Sequence, residues 1–124
     1  MERTQPRTAE LGGTGMEITR VEFGAWPIGG GGWEFGWGPQ EDDESVAAIE
    51  RALDHGVNWI DTAAAYGFGR SERVVGPALA GVSDRPYVFT KCSLLEGPAG
   101  AWSTASRAIR CRLTHGWCTP ATSR

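Results

Sequence analysis

Lysine is nearly absent from this chain: Lys91 is the only one, against eleven arginines. Histidine is limited to His55 and His115, and cysteine to Cys92, Cys111 and Cys118. An odd number of thiols without a secretion signal argues against a disulfide framework. The six residues between Cys111 and Cys118 do not make a usual zinc pair, so no metal site is expected. No apolar run approaches the ~18 residues that a membrane span needs. The opening MERTQPRTAE has no apolar stretch of the kind that marks a secretory signal. The cytoplasm is therefore the expected location.

Strong positive charge is missing too. The formal net charge is −3, which lends no support to nucleic-acid binding. Acidic residues also stop abruptly. All 15 lie at or before Glu96, whereas Arg107, Arg110, Arg112 and Arg124 follow it.

What is present suits one globular domain. The 124 residues, 40% hydrophobic and 22% charged, are enough for a single core. Residues 8–23 read as two extended runs around Gly12-Gly13-Thr14-Gly15, a hairpin whose second run continues to Phe23. Residues 24–40 hold seven glycines, two prolines and Trp26, Trp33 and Trp37, which predicts a long irregular loop of the binding type.

Residues 42–55 predict a helix capped by Asp42 or Asp43, with Val46, Ile49 and Leu53 on one face and Gly56 closing it. Val57–Ile60 predicts a short buried strand that ends at Asp61. Ser71–Ala80 predicts a short helix that Pro77 bends or shortens. Tyr87–Thr90 predicts a strand ending at Lys91. Strands alternating with helices imply parallel strands joined by right-handed crossovers. Beyond Gly97 no clear period remains; Ala101–Leu113 could form a turn or two of helix in an otherwise poorly ordered, basic tail.

Asp61 and Lys91 fall just past the carboxyl ends of two predicted parallel strands, the edge where α/β folds build their sites. Tyr66 lies five residues beyond Asp61. Taken singly, each has an ordinary reading: Asp61 as a turn cap, Tyr66 as a half-buried aromatic, Lys91 as a solvated charge. Together they make chemical sense. A free phenol has a pKa of about 10, and a neighbouring ammonium favours the phenolate. A carboxylate would hold that ammonium in place. The product is a tuned general acid, able to protonate a carbonyl oxygen while a nicotinamide delivers hydride. The glycine run Gly29–Gly32 lacks the Gly-Lys-Ser/Thr ending of a phosphate loop.

The segment Asp61-Thr62-Ala63-Ala64-Ala65-Tyr66-Gly67, with Gly69-Arg70-Ser71-Glu72 and Val75-Gly76, resembles the second-strand region of the aldo-keto reductase family. Phe23-Gly24-Ala25-Trp26 resembles the first barrel strand and its exit. Gly13-Thr14-Gly15 resembles the turn of the hairpin that plugs the barrel floor, and Val88-Phe89-Thr90-Lys91 the third strand with its lysine. The likeness runs over roughly residues 8–97.

It implies an α/β fold: the N-terminal part of a (β/α)8 TIM barrel, preceded by a β-hairpin, with about three β/α units in residues 1–100 and a tail in 101–124. It implies reduction of aldehydes or ketones with NADPH, in a protein whose partner is a small carbonyl substrate rather than nucleic acid or membrane. By the same resemblance Tyr66 is the proton donor, Lys91 lowers its pKa, and Asp61 anchors Lys91. Gly24, Ala25, Trp26 and Asp61 match positions near the nicotinamide ribose and the substrate mouth, and Trp33 could line the pocket.

The family's fourth catalytic member, a histidine ending the fourth strand, has no counterpart. His115 follows no apolar strand, and His55 suits the surface end of a helix. A (β/α)8 domain typically needs ~250 residues, and its phosphate-binding loops lie near the last strands. The expectation is therefore a truncated or frameshifted, inactive member. The alternative is a non-catalytic binding or assembly protein, for which the family has a precedent in voltage-gated potassium channel beta subunits.

Overall fold

Two glycines with positive φ, Gly12 and Gly15, reverse the chain, and Thr14 Oγ1 donates to the Leu11 carbonyl at 2.6 Å inside the turn. Strand β1 (Thr8–Glu10) thereby pairs antiparallel with β2 (Glu17–Thr19) in the computed structural model of the chain. The described residues are 5–91 together with 95–96, 102–103, 112–113 and 116–117.

The second hairpin run stops at Thr19 instead of reaching Phe23. Thr19 Oγ1 donates to the Val21 carbonyl at 2.7 Å, and the Thr19 N–H donates to Asn58 Oδ1 at 2.8 Å. A side chain that bonds the backbone two residues on bends the chain out of the strand. Phe23–Gly24 (β3) then opens a separate sheet.

That sheet has three parallel strands in the order β3, β4 (Trp59–Asp61), β5 (Tyr87–Phe89). Each crossover carries a helix. Helix α1 (Asp42–Asp54) holds Asp42, Asp43 and Glu44 in its first turn, where the dipole favours negative charge. Its cap is Glu41 rather than Asp42 or Asp43, and no side chain bonds the free amides there. Gly56, with φ of 85°, lets the chain leave the helix and start β4.

Helix α2 (Arg70–Ala78) begins one residue earlier than expected and ends two earlier. Pro77 sits in its last turn and has no N–H to continue the ladder. The tryptophan-rich loop is not wholly irregular, because Pro27–Gly29 forms a single 3-10 turn with proline at its start.

The core lies between the helices and one face of the sheet. Ile49 of α1 and Ile60 of β4 are fully buried, with Val74, Val75, Ala78 and Leu79 from the α2 segment and Ala25 and Ile28 from the loop. Phe23, Val46, Leu53 and Val88 pack around them. Beyond residue 91, β6 (Leu95–Glu96) pairs antiparallel with β7 (Trp102–Ser103), and β8 (Arg112–Leu113) with β9 (Gly116–Trp117). The two ends of the 101–113 stretch are therefore extended rather than helical. The remainder of that stretch and His115 lie outside the described residues. Among the described residues no helix is long and apolar enough to cross a membrane.

Candidate active site

Parallel pairing puts Gly24 beside Asp61 and Asp61 beside Phe89, so the three strands end level with one another. Asp61 is the last residue of β4, and Lys91 lies two residues past the end of β5. That levelling brings together groups 30 residues apart in sequence. Lys91 Nζ donates to Asp61 Oδ1 at 2.7 Å, Asp61 Oδ2 at 2.6 Å and Tyr66 Oη at 3.1 Å. It also donates to the Thr62 carbonyl at 3.0 Å, a partner that sequence reasoning missed. A backbone oxygen carries no residue-type signal, so the sequence holds no trace of it.

The Lys91 ammonium also lies 5.0 Å from the centroid of the Tyr66 ring. Partial burial by itself pulls the lysine pKa down. The hydrogen bonds to Asp61 and Tyr66, and the charges of both, outweigh it, so Lys91 is held above the ordinary lysine value. It is thus a fixed cation throughout the neutral range.

Tyr66 is set by its ring. Trp26 stacks on it at 5.5 Å between centroids, and Trp33 lies at 6.2 Å. Phe35 meets Trp33 edge-on at 6.0 Å. The indole N–H groups lock the loop onto itself: Trp26 donates to the Phe35 carbonyl at 2.8 Å, and Trp33 to that of Gly30 at 2.9 Å. Two glycines make this approach possible. A Cβ on Gly67, whose φ is 59°, would lie 2.0 Å from the Gly29 carbonyl oxygen, and one on Gly29 would lie 2.8 Å from the Gly67 nitrogen. Trp33, expected at the pocket, is thus brought to the tyrosine, whereas Trp37 stands 74% exposed.

Of the positions expected at the cofactor, Gly24 and Trp26 reach open surface beside the triad. Ala25 does not, being fully buried. Its N–H donates to the Asp61 carbonyl, and its own carbonyl accepts from Ser71 Oγ at 2.8 Å. It therefore supports the strand end. In the Gly29–Gly32 run, the amides of Gly29 and Gly30 are spent on the carbonyls of Trp26 and Pro27. His55 closes α1 with its ring nitrogen 2.7 Å from the Arg51 carbonyl, away from the strand ends. Among the described residues no group of His, Cys, Asp and Glu could hold a metal ion.

Comparison with known proteins gives this arrangement its context. The model of the aldo/keto reductase family matches residues 27–115, well over half of the chain, and runs past residue 97. Aldo-keto reductase YhdN of Bacillus subtilis is 43% identical over 83 residues, which cover 65% of this chain and 24% of that protein. The NADH-specific methylglyoxal reductase of Escherichia coli is 38% identical over 87 residues, covering 68% of this chain and 26% of the reductase. Among solved structures, the glycerol dehydrogenase of Gluconobacter oxydans superposes with a TM-score of 0.57 at 43% identity, over 70% of this chain and 25% of that one. The chain spans about a quarter of the length of these relatives, and its three parallel strands and two helices correspond to the opening of their TIM barrel. The chain belongs to the aldo/keto reductase family.

Proposed function

We propose that these residues form the proton-donating half of a site that reduces aldehydes or ketones to alcohols with a nicotinamide coenzyme. The observation that carries this reading is the single ammonium of Lys91, bonded to both carboxylate oxygens of Asp61 and to the phenol oxygen of Tyr66. Because Lys91 donates to Tyr66 Oη, the phenol's own proton is directed away from the lysine and is free for a substrate. As that proton moves to a carbonyl oxygen, negative charge grows on the phenol oxygen. The ammonium 3.1 Å away stabilises it. Asp61 keeps the ammonium in place, and solvent returns the proton afterwards.

The coenzyme, when bound, supplies the hydride to the carbonyl carbon. The residues here fit its nicotinamide end. Gly24 leaves room at the strand end, the exposed part of Trp26 offers an apolar wall, and Asp61 keeps its side chain 27% exposed for ribose hydroxyls. Trp33 and Phe35 would meet the substrate. NADPH is the coenzyme proposed from the family resemblance. The Escherichia coli relative, named as NADH-specific, makes the coenzyme phosphate an arm of the test. A small-molecule carbonyl substrate and a cytoplasmic location belong to the same proposal. We propose further that the chain alone does not turn over, since the three parallel strands among the described residues do not close a barrel.

The test is a chimaera in which residues 8–91 replace the matching segment of the Bacillus subtilis relative. It should oxidise NADPH or NADH in the presence of an aldehyde. Tyr66→Phe should then lower kcat by about a hundredfold or more, the usual yield of a positioned general acid. Unchanged turnover in the Tyr66→Phe chimaera would sink the assignment.

A further inference from the structure

Two consecutive residues at the start of α2 reach the ends of all three parallel strands. Ser71 is fully buried. Its hydroxyl donates to the Ala25 carbonyl at the exit of β3 and lies 2.9 Å from Thr62 Oγ1 at the exit of β4. The single Ser71 proton is committed to Ala25, so Thr62 is the donor in the second bond. The next residue, Glu72, accepts from Thr90 Oγ1 at 2.6 Å at the exit of β5.

Each bonded position adjoins a member of the site. Thr62 follows Asp61, and its carbonyl accepts from Lys91. Thr90 precedes Lys91. Ala25 precedes Trp26, which stacks on Tyr66. Helix α2 is reached directly from the Tyr66 loop, where Ser71 N–H donates to the Tyr66 carbonyl at 3.2 Å.

We infer that Ser71 and Glu72 are positioning residues that hold the strand exits in the alignment Lys91 needs to touch Asp61 and Tyr66 together. The inference rests on the proposed function for its catalytic meaning, though its geometry stands apart from it. The physical need is plain. A parallel strand of three residues has few ladder bonds, and the segment 90–91 has left the ladder altogether. Without a second anchor, the lysine stem would wander among rotamers. Side chains locked by buried hydrogen bonds remove that freedom.

Because Lys91 is the only lysine, its side chain can be watched by itself in the whole chain. The experiment is a 13C NMR titration of the protein labelled at lysine Cε, carried out on the unsubstituted chain and on variants. The groups facing the ammonium are Asp61 from β4 and Tyr66 from the following loop, with Glu72 behind Thr90. Asp61→Asn should lower the Lys91 midpoint, which establishes that the contact is being read. Ser71→Ala and Glu72→Ala should each lower it by roughly half a pH unit or more, as the hydrogen-bonded carboxylate drifts away.

Glu72→Gln keeps the acceptor for Thr90 and loses only the charge. It should leave the midpoint with that of the unsubstituted chain. Ile49→Val loosens the core without touching the strand exits and should also leave it unchanged. If Glu72→Gln behaves like Glu72→Ala, Glu72 acts by charge and the inference is wrong. It is equally wrong if Ser71→Ala and Glu72→Ala leave the midpoint where it was while Asp61→Asn moves it. An Asp61→Asn variant without effect would instead remove the assembled triad, and with it the proposed function.

Discussion

One face of the three-stranded sheet carries Phe23, Ile60 and Val88, packed against the aliphatic sides of both helices. The other face, one residue out of phase, carries Gly24, Trp59, Asp61, Tyr87 and Phe89. Ile60 on the first is fully buried, whereas Trp59, Tyr87 and Phe89 on the second are half-buried. The aromatic rings of the second face lean on each other, Trp59 against Phe89 at 5.3 Å and Tyr87 against Phe89 at 6.5 Å. The difference teaches where each demand is met. The helix-covered face anchors the strands, which lets the opposite face end in Asp61 beside the Lys91 ammonium.

The largest test of that division is Ile49→Ala, which empties a fully buried site. It should cost about 2–5 kcal/mol, a large part of the roughly 5–15 kcal/mol that ordinary domains possess. Urea denaturation followed by circular dichroism should show the transition shifted far down or lost. Phe89→Ala on the open face should cost less, and an equal or greater loss there would break the distinction between the faces.

Next comes Gly67→Ala. It places a methyl group against the Gly29 carbonyl oxygen at a left-handed position. A strained backbone of this kind costs about 1–3 kcal/mol. The loop should lift from Tyr66, so that acrylamide quenches tryptophan fluorescence more strongly while far-ultraviolet dichroism holds.

The smallest effect belongs to the ion pair. Lys91 is 51% and Asp61 27% exposed at the side chain, so the pair is worth about 0.2–1 kcal/mol. Its folded pKa lies above the ordinary value. The contribution is therefore complete below the unfolded lysine pKa of about 10.4 and is lost as pH rises through the higher folded value. Asp61→Asn should be slightly less stable than the unsubstituted chain at pH 8, and that difference should vanish in strong alkali. A gap that persists there would mean that Asp61 stabilises the fold by something other than Lys91.

Much of this architecture is legible in the amino-acid order. The period of Val46, Ile49 and Leu53 marks α1, the glycines at 12 and 15 mark the hairpin, and the short apolar runs before Asp61 and Lys91 mark β4 and β5. The strand-end rule then singles out Asp61 and Lys91, and the five-residue step singles out Tyr66. Other features left no local trace. Thr19 breaks the hairpin run because Asn58, 39 residues on, takes its amide. Ala25 looks as available as Gly24 until Ser71, 46 residues on, closes it off.

The amino-acid sequence by itself determined the order of the hairpin, the two helices and the parallel strands, because periodicity and turn residues act over a few neighbours; the motifs around Asp61, Tyr66 and Lys91 carried the family resemblance. Only the tertiary structure decided that one ammonium meets Asp61, Tyr66 and the Thr62 carbonyl at once, and that Ser71 and Glu72 tie the three strand exits together. Those contacts span 9 to 46 residues. They form only when the parallel register levels the strand ends and α2 lies across them.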